Sequence, residues 1–271
     1  MEPLHESDDN PYPGWEAASR LERAHELAMR ESWRRFSSRH RTTDFEPFSR
    51  EWFAFIAEKR YIRHASWIPR LLEFAKHGGE RVLLVGNGLG TDALRYAQHD
   101  AKVTFCSSSA EDLHWSRRNF ELNDCPGTFH DISSGRLPAL DDSVDIVALS
   151  YFHELPDSLP TLFEESWRVL RPGGKIIAVV PSPARLGWGS IVRRSRKTAV
   201  EGTQSLELAD LKNHLERYEI RRIGKRHLRR SDMPAFLRWA YFPVMERLFG
   251  RVMVVKAIKP IRAALPQAQA A

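Results

Sequence analysis

Three glycines at alternate positions, Gly86, Gly88 and Gly90, follow directly on the apolar residues 82–85 (Val-Leu-Leu-Val). Glycine tolerates positive φ and lacks a Cβ, so such a turn can bring bare backbone N–H groups against a nucleotide at the start of the next helix. The alternative is a tight strand-to-helix connection with no ligand. Spacing narrows the choice: a dinucleotide fingerprint needs its third glycine at position 91, where Thr91 stands, so the motif here is GxGxG. Farther along, His153 and Glu154 place an imidazole beside a carboxylate, a pair able to take a proton from a reacting group. The alternative for His153 is a hydrogen-bonded structural role at a helix start. The remaining histidines and cysteines lack metal-ligand spacing, so no metal is expected.

The elements that must position these residues follow from the apolar pattern. Residues 82–85 read as a strand covered on both faces, and 92–97 as the helix after it, with Leu94 and Ala97 inward. Further strands are expected over 102–106, 127–130, 144–150 and 176–180, with Pro172, Gly173 and Gly174 stopping a helix before the last of these. Alternating strands and helices imply parallel strands with right-handed crossovers, and ligands in such sheets lie beyond the carboxyl ends of the strands. One rim should therefore gather residues 86–90, Ser107, Asp131 and 150–153.

With these motifs in this order, the chain resembles the class I S-adenosylmethionine (SAM)-dependent methyltransferases. The glycine turn is followed by Asp131, by residues 137–145 (Leu-Pro-Ala-Leu-Asp-Asp-Ser-Val-Asp) and by residues 170–174 (Leu-Arg-Pro-Gly-Gly), at about the family's separations. The resemblance covers roughly 48–260, is best over 80–181 and is poor over 182–245. It implies an α/β fold with a Rossmann-like, doubly wound, mostly parallel seven-stranded sheet under an N-terminal helical cover. It also implies methyl transfer from SAM to a small-molecule acceptor. SAM would be held by Tyr61, Gly86, Asn87, Gly88, Gly90, Ser107, Ser108, Asp131, Ile132, Ser150 and Tyr151. In the family the aspartate meets the adenine amino group and the next apolar residue packs on the ring; the alternative is an Asp131 that caps its own turn. The segment with Arg60 and Tyr61 would fold over the SAM carboxylate as part of a lid. Methyl transfer is an in-line displacement, so position and orientation carry much of it, with a base such as His153 or Glu154 needed only for a protonated acceptor.

Three positions depart from the family. Leu84 stands where an acid two residues before the first glycine is usual, and Asn87 where a small or thiol residue is common. Ser107 replaces the acid that ends the second strand and accepts the ribose hydroxyls. A hydrogen bond to a charged acceptor contributes ~1.5–3 kcal/mol against ~1 kcal/mol for a neutral one, so SAM affinity should fall by one or two orders of magnitude unless another group compensates. Two alternatives follow: a catalytically degenerate module that binds a partner, and an NADP-dependent oxidoreductase whose 2′-phosphate meets Ser107, Ser108 and Ser109. Against NADP, Glu111 and Asp112 would repel that phosphate.

A chain of 271 residues with 42% hydrophobic content can bury a full core. Two cysteines are too few for a disulfide framework, and residues 2–10 lack the basic and apolar regions of a secretory leader, so a cytoplasmic setting is expected. The expected organisation is a tail over 1–14, a helical cover over 15–77, the α/β domain over 78–260 with an acceptor region at 182–245, and a tail over 261–271. Within the cover, Trp52, Phe53, Ile56, Tyr61, Ile62, Trp67, Leu71, Leu72 and Phe74 recur at helical spacing, which core packing explains. Residues 185–230 hold 13 Lys or Arg against five acids, in a chain whose net charge is only +6. That excess fits an anionic surface, lipid headgroups or an acidic substrate, and the alternative is a solvated face. Aromatics are not interleaved among Arg193, Arg194, Arg196 and Lys197, so there is no strong nucleic-acid signature. Trp188, Phe236, Trp239 and Tyr241 are the candidate acceptor contacts.

Overall fold

In the computed structural model, which describes residues 45–86, 88–151, 159–182, 208–226, 246–247, 250 and 252–261, strand β1 (Arg81–Gly86) is buried on both faces. Leu83 and Val85 face one apolar cluster, Val82 and Leu84 the other. This is the two-residue alternation of a strand whose two surfaces are both covered, and it explains the unbroken apolar run.

The remaining strands are β2 (Lys102–Ser107), β3 (Thr128–Asp131), β4 (Val144–Ser150), β5 (Leu170–Pro181), β6 (Glu219–Arg226) and β7 (Val252–Ile258). They form a seven-stranded sheet in the order β3-β2-β1-β4-β5-β7-β6. Strands β3 through β5 pair parallel, and β7 runs antiparallel to both β5 and β6. The order reverses between β1 and β4, so the carboxyl ends of these two strands flank a switch point, where open α/β sheets bind ligands.

The chain divides into two compact units, Met1–Ala54 and Phe55–Ala271. In the first, Phe48 packs on Trp52 with ring centroids 4.9 Å apart, and Trp52 meets Phe53 edge-on at 5.3 Å. Helix α1 spans Arg50–Glu58, a π-helical segment spans Lys59–His64, and α2 spans Ile68–Leu72. The wider π turn changes the phase of the side chains. Tyr61 is consequently buried while Ile62, expected in the inward stripe, is 69% exposed. Beyond α2, Glu73 takes a left-handed conformation (φ 56°), and its carboxylate reaches Lys175 of β5 at 2.7 Å and Lys256 of β7 at 2.9 Å.

Helices α3 (Thr91–Ala97), α4 (Ala110–Leu122), α5 (Leu159–Val169) and α6 (Leu208–His214) complete the described elements. Ala93 and Leu94 of α3 and Leu71 and Leu72 of α2 cover the face carrying Val82 and Leu84, while Leu162 and Phe163 of α5 and Leu211 of α6 cover the face carrying Leu83 and Val85. Each such aliphatic or aromatic side chain contributes roughly 1.5–3 kcal/mol on burial.

One boundary differs from expectation. Strand pairing begins at Leu170, ahead of the Pro-Gly-Gly turn, because Leu170 pairs with Val144 before the register shifts between Val144 and Ile146. Gly173 (φ 79°) and Gly174 make the excursion possible, since a Cβ on Gly174 would lie 2.8 Å from the Arg171 carbonyl oxygen. The expected helix over 15–39 and the tail over 1–14 lie outside the described residues. Among the described residues, no helix is long and apolar enough to cross a membrane.

Candidate active site

The three glycines of the turn do different work. A Cβ on Gly86 would sit 2.6 Å from the carbonyl oxygen of Ser150, its partner on β4, so the first glycine permits close strand contact. A Cβ on Gly90 (φ 64°) would meet Ser116 of α4 at 2.7 Å, so the third permits helix contact. Gly88 alone (φ 106°) has nothing within 4 Å of that position. Its conformation excludes most side chains, and its open face is where a ligand can approach the backbone. The turn hangs on α4: Ser116 Oγ donates to the Gly88 carbonyl at 3.2 Å, and Asn119 Nδ2 to that of Leu89 at 3.0 Å. Asn87 lies outside the described residues.

Behind the turn sits Asp92, the second residue of α3 and almost fully buried. Its carboxylate accepts from Arg60 Nε at 3.0 Å and Nη2 at 2.5 Å, from Tyr61 Oη at 2.8 Å and from Ser150 Oγ at 2.8 Å. Burial alone would raise its pKa, but the Arg60 charge and these donors outweigh it and hold the carboxyl below its usual range. The same pairing keeps Arg60 protonated against the opposing effect of burial. Tyr61, buried first and then beside a negative charge, is raised well above an ordinary phenol and stays a donor. The structure thus brings Tyr61 and Ser150 together through Asp92 and fixes the π segment over the end of β4. Tyr61 also lies edge-on to Phe74, with Arg95 over its ring.

At the end of β2, Ser107 is buried, and its hydroxyl donates to Asp112 Oδ2 at 3.1 Å while accepting the Ser109 N–H at 3.2 Å. Ser109 caps α4 by accepting the Asp112 N–H at 3.2 Å. Burial raises the Asp112 pKa, and the Gly88 N–H and Ser107 hydroxyl, which bond its carboxylate, offset this only in part. Ser108 is exposed in the bend between them. On β3, exposed Asp131 turns Oδ1 onto the Ser133 N–H at 2.8 Å and hydroxyl at 2.5 Å, which is the turn-capping arrangement. Ile132 is buried in the core, tied by its N–H to the Ser107 carbonyl at 3.1 Å. Tyr151, also buried, donates its N–H to Val179 of β5 at 2.8 Å.

His153, Glu154, Trp188, Phe236, Trp239 and Tyr241 lie outside the described residues. Asp92 and Asp112 were not among the expected site residues, and Arg60 was expected only as part of a lid segment. Asp92 could not be found by spacing, because Arg60 and Ser150 are 32 and 58 positions away in the chain. Asp112 did carry a local signal: it stands three residues after a serine that opens a helix, the spacing of a capping box.

Two recesses border this unit. One of 460 Å³ is lined by Trp67, Arg70, Arg222, Arg226 and Val254, with Arg226 paired to Glu246 at 2.8 Å. The other, of 760 Å³, touches Arg81, Lys102, Thr128 and Val144. These open strands β1 to β4, so that recess lies at the end opposite the rim.

Residues 82–174 match the family model for a methyltransferase domain. The chain is 32% identical over 102 residues to the arsenite methyltransferase of Halobacterium salinarum, across 36% of this chain and 26% of that protein. It is 27% identical over 121 residues to the ubiquinone/menaquinone biosynthesis C-methyltransferase UbiE of Paracoccus denitrificans, across 43% of this chain and 48% of that protein. The chain thus spans about half or less of the length of these curated relatives. In fold it is similar to a SAM-dependent methyltransferase from Aquifex aeolicus, at 15% identity and a TM-score of 0.51 over 78% of this chain and 98% of that one.

Proposed function

We propose that the protein, whose residues 82–174 match a methyltransferase domain, is a class I SAM-dependent methyltransferase that transfers a methyl group from SAM to a small-molecule acceptor. The observation that carries the reading is the glycine turn, held by α4 and presenting Gly88 (φ 106°) to open space beside the ends of β1 and β4. The group fits there: a Cβ-free backbone for close approach, a carboxylate from Asp112 at the end of β2, and the Ser150 rim braced by Asp92. When bound, SAM supplies an electrophilic methyl on a positively charged sulfur. The chain's own share is to hold that group by Gly86, Gly88, Gly90 and the β2 and β3 ends, and to orient the acceptor beside it. His153 or Glu154 would take the proton where the acceptor carries one.

One curated relative is named for arsenite and the other for ubiquinone/menaquinone biosynthesis, which supports a small acceptor here. We assign its contacts to Trp188, Phe236, Trp239 and Tyr241 in the 182–245 region. The basic stretch over 185–230 would favour an acceptor, or a surface carrying it, with negative charge. Two free cysteines, one buried and one half-buried, suit a reducing cytoplasm.

Calorimetric titration with SAM, S-adenosylhomocysteine and NADPH tests the reading. Micromolar binding of the two adenosyl compounds and none of NADPH is expected. Gly88→Val should lose that binding while keeping the fold, since no atom lies within 4 Å of the added Cβ and the conformational strain is about 1–3 kcal/mol. Absence of adenosyl binding up to millimolar ligand would overturn the reading and leave a partner-binding module.

A further inference from the structure

We propose that Asp112, delivered from the first turn of α4, accepts the ribose hydroxyls of the adenosyl ligand in place of the acid missing from the end of β2. The assignment rests on the reading of the rim as a SAM site.

Ser107 has one lone pair left, too few for both ribose hydroxyls. Its single proton goes to Asp112 Oδ2 at 3.1 Å, and it already accepts the Ser109 N–H at 3.2 Å. That second bond redirects Asp112. In a capping box the acid at the third helical position turns back onto the N–H of the capping residue. Here Ser107 occupies that N–H, so the Asp112 carboxylate is released from the cap and swings across to Ser107 and Gly88. It therefore bridges the carboxyl ends of β1 and β2, where nucleotide-binding α/β sheets place the acid that reads a ribose.

The carboxylate also has capacity left. An ionised carboxylate offers about four lone-pair sites, and Ser107 and Gly88 use two of them. Among the described residues its donors are neutral, and a half-buried carboxylate so held gains from two more, of which the vicinal hydroxyls of a ribose are a pair. Unlike Asp92, whose charge is answered by Arg60, Asp112 is placed to receive a ligand.

A purely structural Asp112, bracing α4 against the turn, would not distinguish ribose from a sugar without hydroxyls. The experiment is calorimetric titration of the full chain with S-adenosylhomocysteine and with its 2′,3′-dideoxy analogue. The wild type should prefer the ribo ligand by about 10- to 100-fold. Asp112→Gln keeps a residue suited to the third helical position, so the helix cap survives. It should weaken S-adenosylhomocysteine by that same factor and erase the preference, and Ser107→Asp in that background should restore both. If a folded Asp112→Gln protein binds as tightly as wild type, or retains the preference, the assignment is overturned while the SAM reading stands. If the wild type binds neither ligand, both fall together.

Discussion

Asp92 sets its charge against Arg60, and its two oxygens collect four donors, three from the π-helical segment and one from β4. Removing one partner of a buried ion pair strands the other and costs about 3–5 kcal/mol. Asp92→Asn keeps the shape but removes the charge that Asp92 sets against the Arg60 guanidinium. The expected loss is therefore at that scale, a fall in melting temperature of roughly 10 °C for a chain of this size, measured by calorimetric scanning. A variant melting within a degree of wild type would show that the pair contributes nothing net. At this scale the sequence was legible where chemistry is local and mute where it is not. Three glycines in five residues disclose a turn by themselves. The acid that fixes the rim is an ordinary helix residue until the fold brings Arg60 and Ser150 onto it, and Ser107, read as a loss of grip, is paired with an acid five positions on.

The turn after α2 holds to the sheet through Glu73 rather than through apolar packing alone. Burial raises the Glu73 pKa, but hydrogen bonds from Lys175, Lys256 and Lys76 outweigh it and lower the carboxyl from 4.5 to about 2. A depressed carboxylate stabilises the fold above its unfolded value and loses that contribution as pH falls through the folded one. Glu73→Gln should accordingly melt below wild type at neutral pH, and the gap should close between pH 4.5 and about 2. Melts recorded across that range check it, and a gap independent of pH would remove the ion pairs as the cause. The covered parallel strands were plain in the sequence, because they are continuous apolar runs such as those of β1 and β4, whereas β6, charged and largely exposed, was not among the expected strands. The π segment was not, because one wider turn rotates the stripe and leaves Ile62 outside, and no residue type marks where that happens. The start of β5 was missed for a similar reason: Pro172 and Gly173 signal a break, and pairing to Val144 precedes it.

Across the whole sheet, the order β3-β2-β1-β4-β5-β7-β6 sets Ser107, the glycine turn and Ser150 on neighbouring strand ends. Their supports, Asp112 on α4 and Asp92 on α3, come from the helices that follow β2 and β1. All of these residues belong to the unit Phe55–Ala271, so the adenosyl ligand should stabilise that unit as one body. A ligand that binds only the native state adds RT ln(1 + [L]/Kd), about 2.7 kcal/mol at one hundred times Kd. For a unit of this size that is an upward shift of roughly 5–10 °C. Scanning calorimetry with rising S-adenosylhomocysteine should move the transition in this logarithmic way, and NADPH at equal concentration should not move it. Were a second transition from Met1–Ala54 resolved, it should stay in place, since no described site residue lies there. The Asp112→Gln curve should run parallel to the wild-type one, displaced to higher ligand concentration by the same factor that calorimetric titration gives. A transition indifferent to saturating S-adenosylhomocysteine would mean that the rim, however well assembled, does not hold the ligand.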